Sequence, residues 1–414
     1  MATDRPASHR KKTILFIIIT SLFFFWGMAN NMTDTLLSAF KHILEMTDTQ
    51  TSFIQFAFYA AYFCFALPAA YLIKCYGYKN GMIFGLLFYA MGSMLFFPAA
   101  GFSSYAFYLI AIYIMAGGCS ILETVANPYI LSMETDSVKA LRKLNLAQAF
   151  NPVGSISGIL LSKFFILDNL QDHSNPNPEI IREELDSVTI VYAGVGEVML
   201  VVMVLLLFMN VPNFSNGFAD MPFVKSAKLL FSKRNFRFGL VAEFFYLGAQ
   251  IGVWSFIVKT VQEVNADCEP SKIYLMAFVS FTFARFFFTY LMKYFQPHIL
   301  LLIAGISALI LSFVVMFGDG ISVLIALSAI SFCMSLMFPT IFGTALENTG
   351  NNRQLGASML IMSIIGGSFF PSIQSVIAEK LTFQFSYIVP AVCFAVVTAY
   401  SISLTSLWKM ETKN

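Results

Sequence analysis

Apolar runs long enough to cross a bilayer recur along almost all of this 414-residue chain, beginning at Thr13. A membrane core takes about 20 apolar residues as helix. Within it, every backbone N–H and C=O has to be satisfied inside the protein. These two conditions confine the chain to an all-α integral membrane bundle. Composition agrees, with 58% of residues hydrophobic and 12% charged, against about 25% charged in a soluble domain. No basic stretch interleaved with aromatics stands in a soluble segment, so nucleic acid is excluded as a partner.

Twelve spans are predicted, at 13–40, 49–73, 80–99, 104–132, 143–167, 187–211, 236–262, 270–292, 298–317, 321–346, 354–379 and 384–408. With both termini in the cytoplasm, most of the 25 lysines and arginines fall on that side, as the positive-inside bias requires. The basic flank MATDRPASHRKK reads as the start of a first membrane helix rather than a removable signal peptide. The longest inside loop divides the chain into an N-terminal half (1–211), a central cytoplasmic loop (212–235) and a C-terminal half (236–414). GMAN at 27–30 resembles LGAQ at 247–250, LIKCYGYK at 72–79 resembles LMKYFQPH at 291–298, and NPYI at 127–130 resembles FPTI at 338–341. Three matches in one order suggest two parallel six-helix repeats.

Two carboxylates lie inside these spans, Asp34 in FFFWGMANNMTDTLL and Glu123 in IAIYIMAGGCSILETVANPYIL. A charge at mid-bilayer costs about 2.5–3.5 kcal/mol on insertion scales and marks a functional site by default. Helix spacing gathers polar groups around them. Trp26, Asn30 and Asp34 stack at four-residue steps with Asn31 alongside. Ser120, Glu123 and Asn127 share a face, and Asn145, Gln148, Asn151 and Ser155 form a stripe on the fifth span. Glu243, Tyr246, Gln250 and Trp254 align on the seventh. A lone intramembrane amide is ordinarily an interhelical hydrogen bond. Amides and carboxylates in this number, beside Trp and Tyr rings, suit a sugar, whose hydroxyls need donors and acceptors and whose C–H face packs on aromatics. Burial raises a carboxyl pKa, so Asp34 and Glu123 are also candidates for carrying a proton. Asp34, in its amide-rich stretch, is the better sugar ligand, and Glu123, among Gly, Cys and Ile, the better proton holder. Arg285 is the one mid-span arginine, placed either to neutralise a carboxylate or to hold helix packing. Glu197 and Glu243 rank lower; Glu243 is expected near a helix end, within reach of water or Arg237.

The cysteines (Cys64, Cys75, Cys119, Cys268, Cys333 and Cys393) contain no CxxC pair and read as packing residues. The four histidines are scattered, and no metal site is expected.

FFFWGMANNMTDTLL, FIQFAFYAAYFCFALPAAYLIKCYGYKNG, ILETVANPYI, LNLAQAFNPVGS, GAQIGVWSF and MFPTIFGTALENTG resemble the L-fucose permease family of sugar–proton symporters in the major facilitator superfamily, over nearly the whole chain. The resemblance implies twelve helices in two six-helix halves and alternating access. It also implies import of a monosaccharide with a proton across the bacterial inner membrane, with no cofactor besides the proton. It assigns proton coupling and substrate binding to Asp34 and Glu123, and substrate contacts to Trp26, Asn31, Gln148, Asn151 and Arg285. Asn30, Asn127, Gln250 and Trp254 join them from the stripes. Thr33 stands where the family pattern has Asn, Ser38 where it has Pro, and Glu243 is a carboxylate the pattern lacks. These departures leave L-fucose, galactose, glucose and N-acetylglucosamine open, with GAQ and Trp254 leaning to fucose. A monomer is expected. A facilitative carrier, an antiporter or a non-transporting sugar sensor are the other readings; tails too short for an output domain count against the sensor, and the lack of a catalytic constellation against an enzyme.

Overall fold

A computed structural model describes residues 13–28, 48–102, 104–165, 178–212, 222–264 and 268–411. Among them regular structure is helical throughout, with no strand. Nine of the described helical segments are long and apolar enough to cross a membrane, and Thr13–Met28 is a shorter apolar helix. The chain forms two compact units, Met1–Ile130 with Phe150–Phe214, and Leu131–Ala149 with Ser215–Asn414.

The first unit contains α1 (Thr13–Met28), α2 (Asp48–Met94), α3 (Phe96–Gly101), α4 (Tyr105–Ser132), α6 (Phe150–Phe165) and α7 (Pro178–Phe208). At 47 residues, α2 would run for roughly 70 Å if straight, more than twice a membrane core of about 30 Å. It turns at Gly77, whose φ of 80° is in the left-handed region that only glycine enters without strain. Its two arms correspond to the predicted spans 49–73 and 80–99. α2 also packs along α7.

The second unit contains α5 (Ser137–Gln148) and then α8 (Phe223–Ser232), α9 (Arg234–Val264), α10 (Pro270–Leu291), α11 (Pro297–Phe317), α12 (Ile321–Met334), α13 (Met337–Ala345), α14 (Arg353–Met362), α15 (Gly366–Lys380) and α16 (Ile388–Glu411). α9 is central, packed on α10, α13, α15 and α16. Three predicted spans are broken. The fifth divides at Ala149 into α5 and α6, the tenth divides before α13, and the eleventh contains a 3₁₀ turn at Ser363–Ile365. Proline accounts for the first two. Pro152 and Pro339 lack the N–H that would bond the carbonyl four residues earlier.

Each unit contains a helix crossing too close for side chains. In the first, a Cβ on Gly27 would fall 1.9 Å from the Asn151 carbonyl oxygen, and one on Gly154 1.8 Å from that of Phe24. Ser155 donates to the Gly27 carbonyl at 3.0 Å across the same contact. In the second, a Cβ on Gly366 would fall 2.1 Å from the Phe244 carbonyl oxygen, and one on Gly248 2.1 Å from the Phe370 ring. The contact between the first and fifth spans thus recurs between the seventh and eleventh, as parallel repeats require.

Candidate functional site

The candidate residues form one set in each unit. Asn30, Asn31 and Asp34 lie outside the described residues. In the first unit, the α1–α6 crossing fixes Trp26 and half-buried Asn151. Trp26 packs against Phe23 with ring centres 5.6 Å apart and planes tilted by 33°. Its buried indole N–H has no hydrogen-bond acceptor among the described residues. On α4, Glu123 is 2% exposed, and Ser120, Thr124 and Asn127 are fully enclosed. Ser120 donates to the Tyr62 carbonyl at 3.0 Å, which locks this face of α4 onto α2. Cys119, one turn before Glu123, lies within its electrostatic reach.

In the second unit Arg285, 5% exposed, reaches Gln148 on α5. Its guanidinium donates to the Gln148 backbone carbonyl at 2.5 Å and to the side-chain oxygen at 3.3 Å. The same guanidinium lies 4.8 Å from the centre of the Phe281 ring, one turn away on α10, a cation–π distance. Phe281 in turn meets Trp254 edge-on at 4.9 Å, and Phe278 packs on Trp254 at 5.0 Å. The Trp254 indole donates to Ser331 at 3.3 Å. Gln250, half-buried, stands one turn before Trp254. Asn145 donates to the Leu141 carbonyl at 3.0 Å and to Thr340 at 3.5 Å.

Through its bonds to Gln148, Arg285 holds α10 against α5. The fifth-span stripe is divided rather than continuous: Asn145 and Gln148 group with the second unit, Asn151 and Ser155 with the first. Phe278, Phe281 and Ser331 were not singled out in the sequence. The four-residue spacing of Phe281 and Arg285 is the signal that would have found the ring, whereas Ser331 depends on which helix faces Trp254. Glu243 departs from expectation. It is 0% exposed, enclosed in its unit rather than open at the helix end, while Arg237 is exposed and six residues back, about 240° around the helix at about 100° per residue. Glu197 is exposed on α7. Among the described residues no group of three or more His, Cys, Asp or Glu is placed to hold a metal ion.

Membrane-length helices, two units with a repeated crossing, and enclosed polar sets on those helices define a membrane transporter. The chain belongs to the major facilitator superfamily, whose family pattern matches residues 15–371, and within it to the L-fucose permease family. It is 34% identical to the L-fucose-proton symporter of Haemophilus influenzae, over 97% of this chain and 98% of that one. Against the L-fucose-proton symporter of Escherichia coli K12 the identity is 33%, over 97% and 95%. A putative glucose/galactose transporter of Helicobacter pylori J99 is 31% identical over 93% and 95%. Among solved structures, the major facilitator superfamily transporter FucP in its outward conformation superposes with a TM-score of 0.86 at 32% identity, covering 95% of this chain and 99% of that one.

Proposed function

We propose that the protein imports a monosaccharide together with a proton by alternating access. L-fucose is the leading substrate, with galactose, glucose and N-acetylglucosamine as the competing hexoses. The polar and aromatic set Gln148, Arg285, Phe281, Trp254 and Ser331, gathered where α5 meets membrane-length helices, carries this reading. It supplies hydroxyl partners and a flat apolar face together, the chemistry a pyranose needs. The names of the relatives, all sugar carriers, support it. Trp26, Asn30, Asn31, Asp34, Glu123, Asn127, Gln148, Asn151, Gln250, Trp254 and Arg285 are the proposed sugar contacts, and Asp34 and Glu123 the proton carriers.

The frame of the proposal is twelve crossings, in halves 1–211 and 236–414 joined by 212–235. Both termini face the cytoplasm of a bacterial inner membrane. The protein works as a monomer, with the proton as sole accessory. The distribution of lysine and arginine supports the orientation, and the two-armed α2 supports the count. Adding each sugar to a weakly buffered cell suspension tests coupling: the correct sugar alkalinises the medium as it enters. Uptake of labelled sugar without that alkalinisation reduces the protein to a facilitative carrier. A thermal-shift panel over the four sugars identifies the substrate, since only a bound ligand raises Tm.

A further inference from the structure

We propose that Glu243 is a second proton-binding site, housed in the second unit and lying on a polar route along the buried face of α9; the inference rests on the symport reading above. Glu243 is 0% exposed, in the first third of a 31-residue membrane-length helix. An ionisable group at such a place is functional by default. Its helix face continues in both directions. Toward the C-terminal end, Tyr246, Gln250 and Trp254 follow at three, seven and eleven residues, all on one side at about 100° per residue, and so connect Glu243 to the proposed sugar contacts. Toward the N-terminal end, Gly239 is one turn away, and a Cβ there would fall 3.1 Å from the Tyr400 hydroxyl. That hydroxyl donates to the Asn235 side-chain oxygen at 3.1 Å and is hydrogen-bonded to Thr344 at 3.0 Å. Asn235 is half-buried, and Arg234 beside it is exposed at the helix end. Hydroxyl and amide groups therefore run from the Tyr400 hydroxyl, within electrostatic reach of Glu243, toward the protein surface.

The charged and titratable groups around this face are few. Tyr246 lies on α9 itself, within electrostatic reach of both Glu243 and Arg285 of α10. Tyr400 of α16 lies within reach of Glu243 and of Glu347, just after α13. The lysines of α8 and the Glu379–Lys380 pair ending α15 are exposed, and α12 and α13 carry no charged side chain. Arg353, opening α14, is turned to Ser132 at 3.2 Å. The step is proton exchange alone. A carboxylate oxygen of Glu243 forms an O–H bond with an incoming proton, and the bond breaks when the proton passes to water at the Asn235 end.

Infrared difference spectroscopy of the reconstituted protein across pH tests this without requiring transport. The carbonyl stretch of a protonated carboxyl that titrates in the wild type is expected to vanish in Glu243→Gln and to be displaced in Glu243→Asp. Sugar counterflow at fixed pH should survive in Glu243→Gln, while accumulation driven by an imposed proton gradient falls. An unchanged titrating band in Glu243→Gln overturns the proposal. Should Glu243→Gln fail to fold, Glu243→Asp decides alone, because an unmoved band then means the acid does not titrate. A band lost in Glu243→Gln, in a protein whose wild type moves no proton with sugar, refutes the symport reading and leaves Glu243 as a proton site.

Discussion

Arg285 donates to the backbone carbonyl of Gln148 at 2.5 Å, and the residue four positions on, Pro152, has no N–H to compete for that carbonyl. The last carbonyls of a helix take partners from outside it, and here the partner comes from α10. A buried guanidinium supplies the donor and, through the Gln148 side-chain oxygen at 3.3 Å, a second anchor.

Replacing Arg285 by Lys keeps the charge and loses the planar fork. Hydrogen bonds from a charged group contribute about 1.5–3 kcal/mol, so sugar counterflow is expected to fall about 10- to 100-fold. Counterflow with labelled sugar in proteoliposomes measures this, and a wild-type rate would show that the fork is dispensable.

Pro152→Ala returns an N–H to the helix, which then competes with Arg285 for the Gln148 carbonyl. Transport is expected to drop several-fold while Tm holds or rises, since the restored N–H can add a backbone bond between α5 and the first turn of α6. A fall in both quantities would mean that the kink, rather than the freed carbonyl, is what matters.

A glycine at a crossing and one in open space predict a contrast. Gly154→Ala places a Cβ against the Phe24 carbonyl and forces α1 away from α6, at an expected cost of about 1–3 kcal/mol. Gly194→Ala meets nothing within 4 Å and is expected to leave stability unchanged or raise it by up to about 1 kcal/mol. Thermal unfolding in detergent compares the pair.

Glu123→Gln is expected to abolish uphill sugar accumulation while exchange of bound sugar persists, because a neutral amide keeps hydrogen bonds but carries no proton. Paired assays of gradient-driven uptake and counterflow separate the two. Undiminished accumulation would remove Glu123 from coupling.

Trp254→Phe retains a ring beside Phe278 and Phe281 but loses the donation to Ser331. Since one neutral hydrogen bond contributes about 0.5–1.5 kcal/mol, sugar affinity should weaken about two- to tenfold. Trp254→Ala removes the aromatic face as well and should weaken it further; equal losses in the two variants would assign the whole effect to the indole N–H.

The sequence by itself determined the class of structure and the chemistry on offer. Apolar runs with almost no charge admit only membrane helices, because lipid provides no partner for an open backbone. A carboxylate such as Glu123, or the amides of the fifth span, is conspicuous there because lipid makes it costly. Helical periodicity then placed Glu243, Tyr246, Gln250 and Trp254 on one face of α9 before any packing was known. Tertiary structure decided which polar group meets which. The break at Ala149 puts Gln148 and Asn151 in different compact units, although they share a stripe in the sequence, since a local pattern carries no record of which unit a turn packs against. The enclosure of Glu243 likewise depends on α16 bringing Tyr400 to the same face of α9. That contact spans more than 150 residues of chain, and no helical period encodes it.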